Sequence, residues 1–234
     1  MPEQISPFSP EKLLDLARTS HASLFQGISR VWEVLPRLAR YLEERLEPVV
    51  LGEVSPLATV GPRVRIEKGC VVEAGAVILG PAWIGENSMI RPGAYLRQNV
   101  IAGRGCVLGH CCEFKNALLF DSAQVPHFNY VGDSILGAHA HLGAGAILSN
   151  LRLRGDEVRV RFGQTVFPTG LRKFGAILGD GVQVGCNAVL NPGSILGRGS
   201  LVHPGVVWSG YLPEGAVAKA AVRPVVAEVP GAVR

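Results

Sequence analysis

Apolar residues fall into two regimes along this chain. Up to about residue 48 they recur at helical spacing. Ser9-Pro10-Glu11 reads as a helix start: a capping serine, a proline at the first helical position and an acidic first turn. Leu13, Leu14, Leu16 and Ala17 supply a short apolar face. After Thr19-Ser20 a second pattern carries Ala22, Leu24, Phe25, Ile28, Val31 and Trp32, and Pro36 is expected to kink or restart it. Leu35, Leu38, Leu42 and Leu46 follow at helical spacing, with Arg37, Arg40, Glu43, Glu44 and Arg45 between them. Residues 1–50 are therefore expected to form a helical arm that packs on the body of the protein or on a neighbouring subunit. Phe25 and Trp32 read as its packing anchors.

From about Val54 every sixth residue is aliphatic: Val60, Ile66, Val72, Ile78, Ile84, Ile90, Leu96, Ala102 and Leu108, with Phe114 continuing the row. Neither a helix nor an alternating hairpin strand has this period. A short fixed repeat marks a solenoid, and the hexad version marks a parallel β-helix, three strands to a triangular coil. The aliphatic residue points inward and stacks on its counterpart one coil away. The row returns in a shifted register at Leu136, Leu142 and Leu148, then at Leu178, Val184, Leu190, Leu196 and Val202. The first register would bury Pro126 and Gly132, so the phase is expected to change between Phe120 and Leu136. Leu148 and Leu178 are separated by a whole number of hexads. The segment 151–173 is thus a loop thrown out from one corner, with a short hairpin in the alternating Glu157-Val158-Arg159-Val160-Arg161-Phe162. The β-helix is expected over 51–212, and 213–234 as a loosely attached tail over its last turn.

Composition narrows the class further. Glycine is high at 29 residues and aromatics low at 6%, as suits a turn-dense, aliphatic-cored β protein. The formal charge of +4 is mild; it does not call for nucleic acid and suits an anionic substrate or a solvated surface equally. The five cysteines, Cys70, Cys106, Cys111, Cys112 and Cys186, form no CxxC pair and read as mostly small buried hydrophobes in a reducing compartment. No signal peptide or membrane-spanning run is visible, so a soluble, cytoplasmic protein is expected.

Candidate chemistry gathers where the repeat stumbles, between Glu113 and Asp133. Histidine suits a general base because it ordinarily titrates near neutrality. His127 follows Pro126, which fixes the backbone, and Asp133 or Asp121 is available to orient the ring. Lys115, Arg97 and Lys173 are candidate anion contacts through charge-assisted hydrogen bonds, and Tyr130 a hydrogen-bonding group or an aromatic packing at a corner. The arginines from Arg152 to Arg161 read as solvated or inter-subunit, with a phosphate contact as a further role for one of them. His139 and His141 alternate along a strand and so share a face, which is the nearest thing to a metal pair; no metal site is assigned.

The hexads resemble those of the left-handed β-helix acyltransferases. The stretch from Arg91 to Gly205 is similar to the acetyltransferase domain of the bifunctional enzymes that acetylate glucosamine-1-phosphate and then uridylylate the product. The resemblance is carried by Glu113-Phe-Lys115-Asn, His127-Phe-Asn-Tyr130-Val-Gly-Asp133, Leu142-Gly-Ala-Gly145, Ser149-Asn150, Arg172-Lys173-Phe174 and Leu178-Gly-Asp180. It implies an all-β, left-handed parallel β-helix with an α-helical arm, assembled as a homotrimer with sites between subunits. It implies acetyl-CoA as co-substrate, His127 as base, and sugar-phosphate contacts at Arg97, Lys115, Tyr130 and Lys173, with Asn150 at the junction of donor and sugar. His141 stands where the family has a sugar-contacting Asn, Cys186 where it has a Ser near the coenzyme, and Pro204 where it has a small Ala. No nucleotidylyltransferase domain is expected ahead of the β-helix. The leading reading is acetyl transfer to an amino-sugar phosphate or nucleotide-linked amino sugar. A non-catalytic sugar-nucleotide-binding or assembly partner of a separate nucleotidylyltransferase, and a zinc hydratase of the carbonic-anhydrase type, are the other two.

Overall fold

The period-six row becomes the inside of a three-faced parallel β-solenoid. The computed structural model describes residues 7–220. Val64 lies opposite Ala82 and Ala82 opposite Val100, three hexads further along each time, so one coil consumes three hexads. The first face is built from strands such as Val64–Ile66, Ala82–Ile84, Val100–Ala102 and Ser194–Leu196. The second holds nine strands, from Glu53–Val54 to Val217–Ala218. The third includes Tyr95–Leu96, Ile147–Leu148 and Val189–Leu190. Ile66, Ile84, Ala102, Leu119, Leu136, Leu178 and Leu196 stack down the first face without solvent contact, as Leu108, Leu142 and Leu148 do on the others. Burial of each such side chain contributes about 1.5–3 kcal/mol. Cys70, Cys106 and Cys112 fill small interior positions between these rows. Burial pushes the Cys106 thiol up to about 12 and Cys112 up to about 11, which makes both inert.

The phase shift is real but starts earlier than the row alone suggests. Ile101 pairs with Leu118 and Leu118 with Ile135, so each of these two successive coils falls a single position short of three hexads. Both omissions lie at the corner between the third and first faces. There the strands Glu113–Leu119 and Tyr130–Leu136 run through the bend and belong to both faces. Asn116 and Asp133 turn that corner at φ of 49° and 47°, the left-handed region that Asn and Asp tolerate better than most residues. Phe120 consequently faces outward, its ring 5.8 Å from that of Phe25.

At the same corner, one coil later, residues 151–173 leave the solenoid. Ile135 pairs with Ile177, so the chain spends seven hexads on a coil that elsewhere takes three. The exit and return of the excursion are tied by a bridge between Leu151 and Lys173. Within it, Arg159–Phe162 and Thr165–Pro168 form an antiparallel hairpin. The solenoid also continues past Leu212. Ile195 pairs with Tyr211 and Leu201 with Val217, two positions short of three hexads, with Pro213-Glu214-Gly215 as a corner rather than a break. This short coil escapes a reading by hexads. The rest of the expected tail, 221–234, lies outside the described residues.

The arm lies on its own β-helix. The outer side of the first face is a second apolar row, Ile101, Leu118, Ile135, Ile177 and Ile195, which no hexad count draws attention to. Phe8, Leu13, Leu14, Phe25, Trp32, Leu35, Leu38 and Leu42 cover it, joined by Val158 and Val160 of the hairpin. The expected anchors Phe25 and Trp32 are buried. Little of the arm is regular α-helix. A single turn, Pro10–Leu13, is followed by 3-10 turns and then the helix Leu38–Arg45. Gly27 at φ 66° interrupts the pattern between Phe25 and Val31, and Pro36 sits at the junction with the last helix. Backbone bonds also tie the arm down, Asp180 N–H to Leu13 O and Asp121 N–H to Arg18 O among them.

Where the arm meets Trp83 it encloses His21. The ring is 4.8 Å from that of Trp83, its Nδ1 is 3.0 Å from the Tyr41 hydroxyl, and burial lowers its pKa to about 4. The unfolded chain therefore takes up a proton below the ordinary 6.5 that the folded chain refuses. Stability is full above that value and falls as pH drops toward 4, by up to about 3 kcal/mol from this residue. Denaturant midpoints measured between pH 7.5 and 4.5 are expected to fall less steeply for His21→Phe than for the wild-type chain. Equal slopes would exclude the residue as the cause.

Candidate active site

The shortened corner concentrates polar groups that the regular corners lack. Asp133 is buried at its centre. Lys115, on the preceding coil and opposite Gly132, donates to both carboxylate oxygens at 3.0 and 3.1 Å. Asn116 Nδ2 donates to the first at 3.0 Å and Asn150 Nδ2 to the second at 2.5 Å. Asn150 also donates to the Tyr130 hydroxyl at 3.1 Å. Burial, reinforced by the charges of Asp133 and Glu113, raises the Tyr130 pKa and keeps the phenol protonated. Arg97, on the preceding coil, pairs with Glu113 at 3.0 Å, and that bond raises its pKa. Lys115 and Arg97 are thus each held by a carboxylate. Removing one residue from the corner draws adjacent coils into line so that Asn116, Asp133 and Asn150 fall in register, with Lys115 beside them.

His127 stands at a different corner, between the second and third faces. It ends the strand Gln124–His127 and pairs in register with His110 one coil before. Its ring is exposed beside the exposed Phe128, which holds φ at 54°. Asn129 fixes this turn from inside. It is buried, accepts from the His127 N–H through Oδ1 at 3.1 Å, and donates to Gly143 O at 2.7 Å and Ala146 O at 3.2 Å on the next coil. Below it Gly109 lets the coils close, because a Cβ there would overlap the Pro126 backbone. Neither Asp133 nor Asp121 orients the His127 ring. Asp133 is engaged by Lys115, and Asp121 lies at the third corner, paired with Arg104 at 2.9 Å.

His141, Cys186 and Pro204 come together on the second face in a shallow groove of about 350 Å³, with Gln183, Leu201 and His203. Burial, then the neighbouring His127, lowers the His141 pKa, so this ring stays neutral at physiological pH and lies within electrostatic reach of His127. His139 does not share its face. It turns a corner at φ 58°, and its Nε2 is bonded by Arg18. Lys173 is exposed at the foot of the excursion. Among the described residues no three His, Cys, Asp or Glu side chains gather for a metal within one chain.

The candidates therefore separate into two groups on either edge of the third face. Arg97, Lys115, Tyr130, Asn150 and Lys173 belong to one corner. His127, with His141, Cys186 and Pro204 beside it, belongs to the other. Sequence reasoning assigned one hub, Asp133, to His127 rather than to Lys115, and gave the other, Asn129, no role. The signal was present at Asn129, a polar residue two places before the inward Val131 in the row that elsewhere holds Cys106, Cys112 and Ala123.

Asp133→Asn preserves the left-handed turn but leaves Lys115, whose side chain is 14% exposed, without a counter-charge. It is expected to cost roughly 3 kcal/mol in denaturant titration, and Lys115→Met in the same chain to restore more than half of that. Strictly additive effects would mean that the pair is not the hub.

Comparison with known proteins places this geometry in a lineage. The GMPPB C-terminal domain family matches residues 78–169. The bifunctional protein GlmU of Methanococcus vannielii is 33% identical over 178 residues, 76% of this chain and 42% of its own length. The bifunctional sugar-1-phosphate nucleotidylyltransferase/acetyltransferase of Sulfurisphaera tokodaii is 31% identical over 183 residues, 78% of this chain and 46% of its own. A mutant of GDP-perosamine N-acetyl transferase from Caulobacter crescentus, solved with CoA and GDP-perosamine, is 20% identical and covers 78% of this chain and 59% of that one. Its TM-score of 0.20 gives that likeness no weight. The aligned three quarters of this chain is homologous to the bifunctional sugar-1-phosphate nucleotidylyltransferase/acetyltransferases, of whose length it spans less than half.

Proposed function

We propose that the chain transfers an acetyl group from acetyl-CoA to the amine of an amino-sugar phosphate such as glucosamine-1-phosphate. The observation that carries this reading is the sequence relationship to enzymes whose name includes acetyltransferase, over a region that contains both polar corners. His127 takes a proton from the amine as its nitrogen bonds to the thioester carbonyl carbon. The tetrahedral intermediate then collapses with cleavage of the carbon–sulfur bond, and the proton leaves with the coenzyme thiol. Tyr130 and Asn150 hydrogen-bond the sugar, and Arg97, Lys115 and Lys173 face its phosphate. His141 adds a neutral imidazole where the sugar is read, and Cys186 and Pro204 line the coenzyme's path.

Within one chain the third face lies between His127 and Lys115. The reading therefore includes a homotrimer in which the His127 corner of one copy meets the Lys115 corner of the next. The uncovered outer sides of the second and third faces, with exposed Met89, Tyr95, Leu201 and Val207, support such contacts. Sedimentation is expected to give three times the chain mass.

One observation favours a second reading, a non-catalytic binder of sugar nucleotides that partners a nucleotidylyltransferase. Both corner cations are already paired, Lys115 with Asp133 and Arg97 with Glu113. Thiol release from acetyl-CoA in the presence of glucosamine-1-phosphate separates the two. The wild-type chain is expected to turn over and His127→Ala to lose about 10²–10⁴-fold in kcat. Activity unaffected by the substitution would remove His127 from the base role. No release over a panel of amino sugars, together with copurification of a nucleotidylyltransferase, would establish the second reading.

A further inference from the structure

The excursion 151–173 carries the whole charge excess of the protein. It holds six Lys and Arg against two Asp and Glu, a net of +4, which equals the formal charge of the entire chain. The remainder of the molecule is balanced. Its two acids are also occupied. Asp156 pairs with Arg152 at 3.0 Å, and Glu157 accepts the Gly170 N–H at 2.6 Å. Among the described residues Arg154, Arg159 and Arg161 have no carboxylate partner. A charge that is neither balanced nor scattered needs a place to go.

The fold gives it one. The hairpin strand Arg159–Phe162 alternates, with Val160 buried against the arm and the first face while Arg159 and Arg161 are exposed on the other side. The Phe162 ring, on the inner side, is 5.6 Å from Phe8 and 5.3 Å from Tyr211. Thr169 Oγ1 donates to Val158 O, and the Val158 N–H donates to Leu171 O. The arginines therefore project from an element that is packed, not from a solvated tether. Between them and the corners of the last coils runs a groove of about 680 Å³. Arg152, Arg154, Arg159 and Arg161 all border it, and no Asp or Glu does. Its floor is polar and neutral: Asn191 donates to Ser209 Oγ at 2.8 Å, and Gly193 and Gly210 bend the chain there. Tyr211, its ring 5.3 Å from that of Phe162, lines one side.

We propose that this groove binds the pyrophosphate of a nucleotide. Guanidinium groups on alternate positions of one strand meet successive phosphates with paired N–H donors. A floor free of carboxylates imposes no repulsion, and the volume exceeds what a single phosphate fills. Tyr211 offers a surface for a base or sugar. The same chemistry belongs to two sources, a nucleoside diphosphate sugar and coenzyme A, and only binding data separate them. The proposal does not depend on acetyl transfer, since its readout is affinity.

Titration calorimetry of the full chain with inorganic pyrophosphate, UDP-N-acetylglucosamine and CoA, at about 50 and about 200 mM salt, tests it. Pyrophosphate and at least one nucleotide are expected to bind, more weakly at the higher salt. Arg159→Gln with Arg161→Gln is expected to lower both affinities at least tenfold with an unchanged melting temperature. Arg45→Gln with Arg63→Gln, the same charge change at exposed positions away from the groove, is expected to change them less than twofold. The nucleotide that shares the loss identifies the source. Absence of binding by all three probes, equal losses in the two double variants, or binding of pyrophosphate without either nucleotide would each overturn the proposal.

Discussion

Every coil of this protein must lie in register on the one before it. The interior offers one aliphatic residue per strand, stacked on its counterpart, and the backbone offers one ladder of parallel hydrogen bonds per face. A residue lost from one coil is taken up at the corner where it is lost, since Leu96 still pairs with Phe114 and Val100 with Ala117 on either side of it. Where the next coil loses its residue at the same corner, the pairing runs through the bend, from Glu113 against Tyr130 to Leu119 against Leu136. Both shortened coils give up their residue between the third and first faces. The consequence is chemical. Shortening brings Asn116, Asp133 and Asn150 onto one line with Lys115 beside it, and a buried carboxylate there is tolerable only because three donors reach it. The polar corner is less an addition to the solenoid than a product of its packing rule.

The outer surface follows a different logic. A parallel solenoid has three equivalent faces, but here one of them carries an isoleucine-rich outer row and is closed by the arm. Aliphatic burial on both sides makes the first face the rigid wall of the molecule. The polar corner sits at the edge of that wall, where the arm also touches it through Asn116 Nδ2 and Leu35 O. The His127 corner is placed differently, by Asn129, which reaches coils on either side of its own. Two corners of one repeat are thus stiffened by unlike means, one by an ion pair and one by an amide.

What the sequence made legible was whatever repeats or breaks a repeat. The hexads announced the β-helix, and the return of Leu178 in phase with Leu148 announced the excursion. The change of register pointed at the right stretch. It misplaced the first step because Phe120, an apolar residue in the expected row, faces outward onto Phe25. Short-range reading failed wherever the third dimension decides. His139 and His141 alternate as strand residues would, yet His139 turns a corner. Asp133 looked like an orienting group for His127 because the two are one hexad apart; in a three-faced coil that separation is a third of a turn, so they sit at different corners. Arg152 to Arg161 looked like ordinary solvated cations until the hairpin folded four of them around one groove. The outer isoleucines were invisible for the same reason as the arm's destination: both depend on a partner far away in sequence.

The bridge between Leu151 and Lys173 has a meaning beyond the hairpin that it closes. Because the chain leaves and rejoins the solenoid at one point, the coils on either side do not register how long the detour is. Lengthening such a detour costs only the slow, logarithmic entropy of closing a larger loop. The scaffold and its appendage are therefore separable under selection. The coil is held to the stacking of its inward residues, while the segment at its corner is free to vary in length and charge without the core ever having to be repacked.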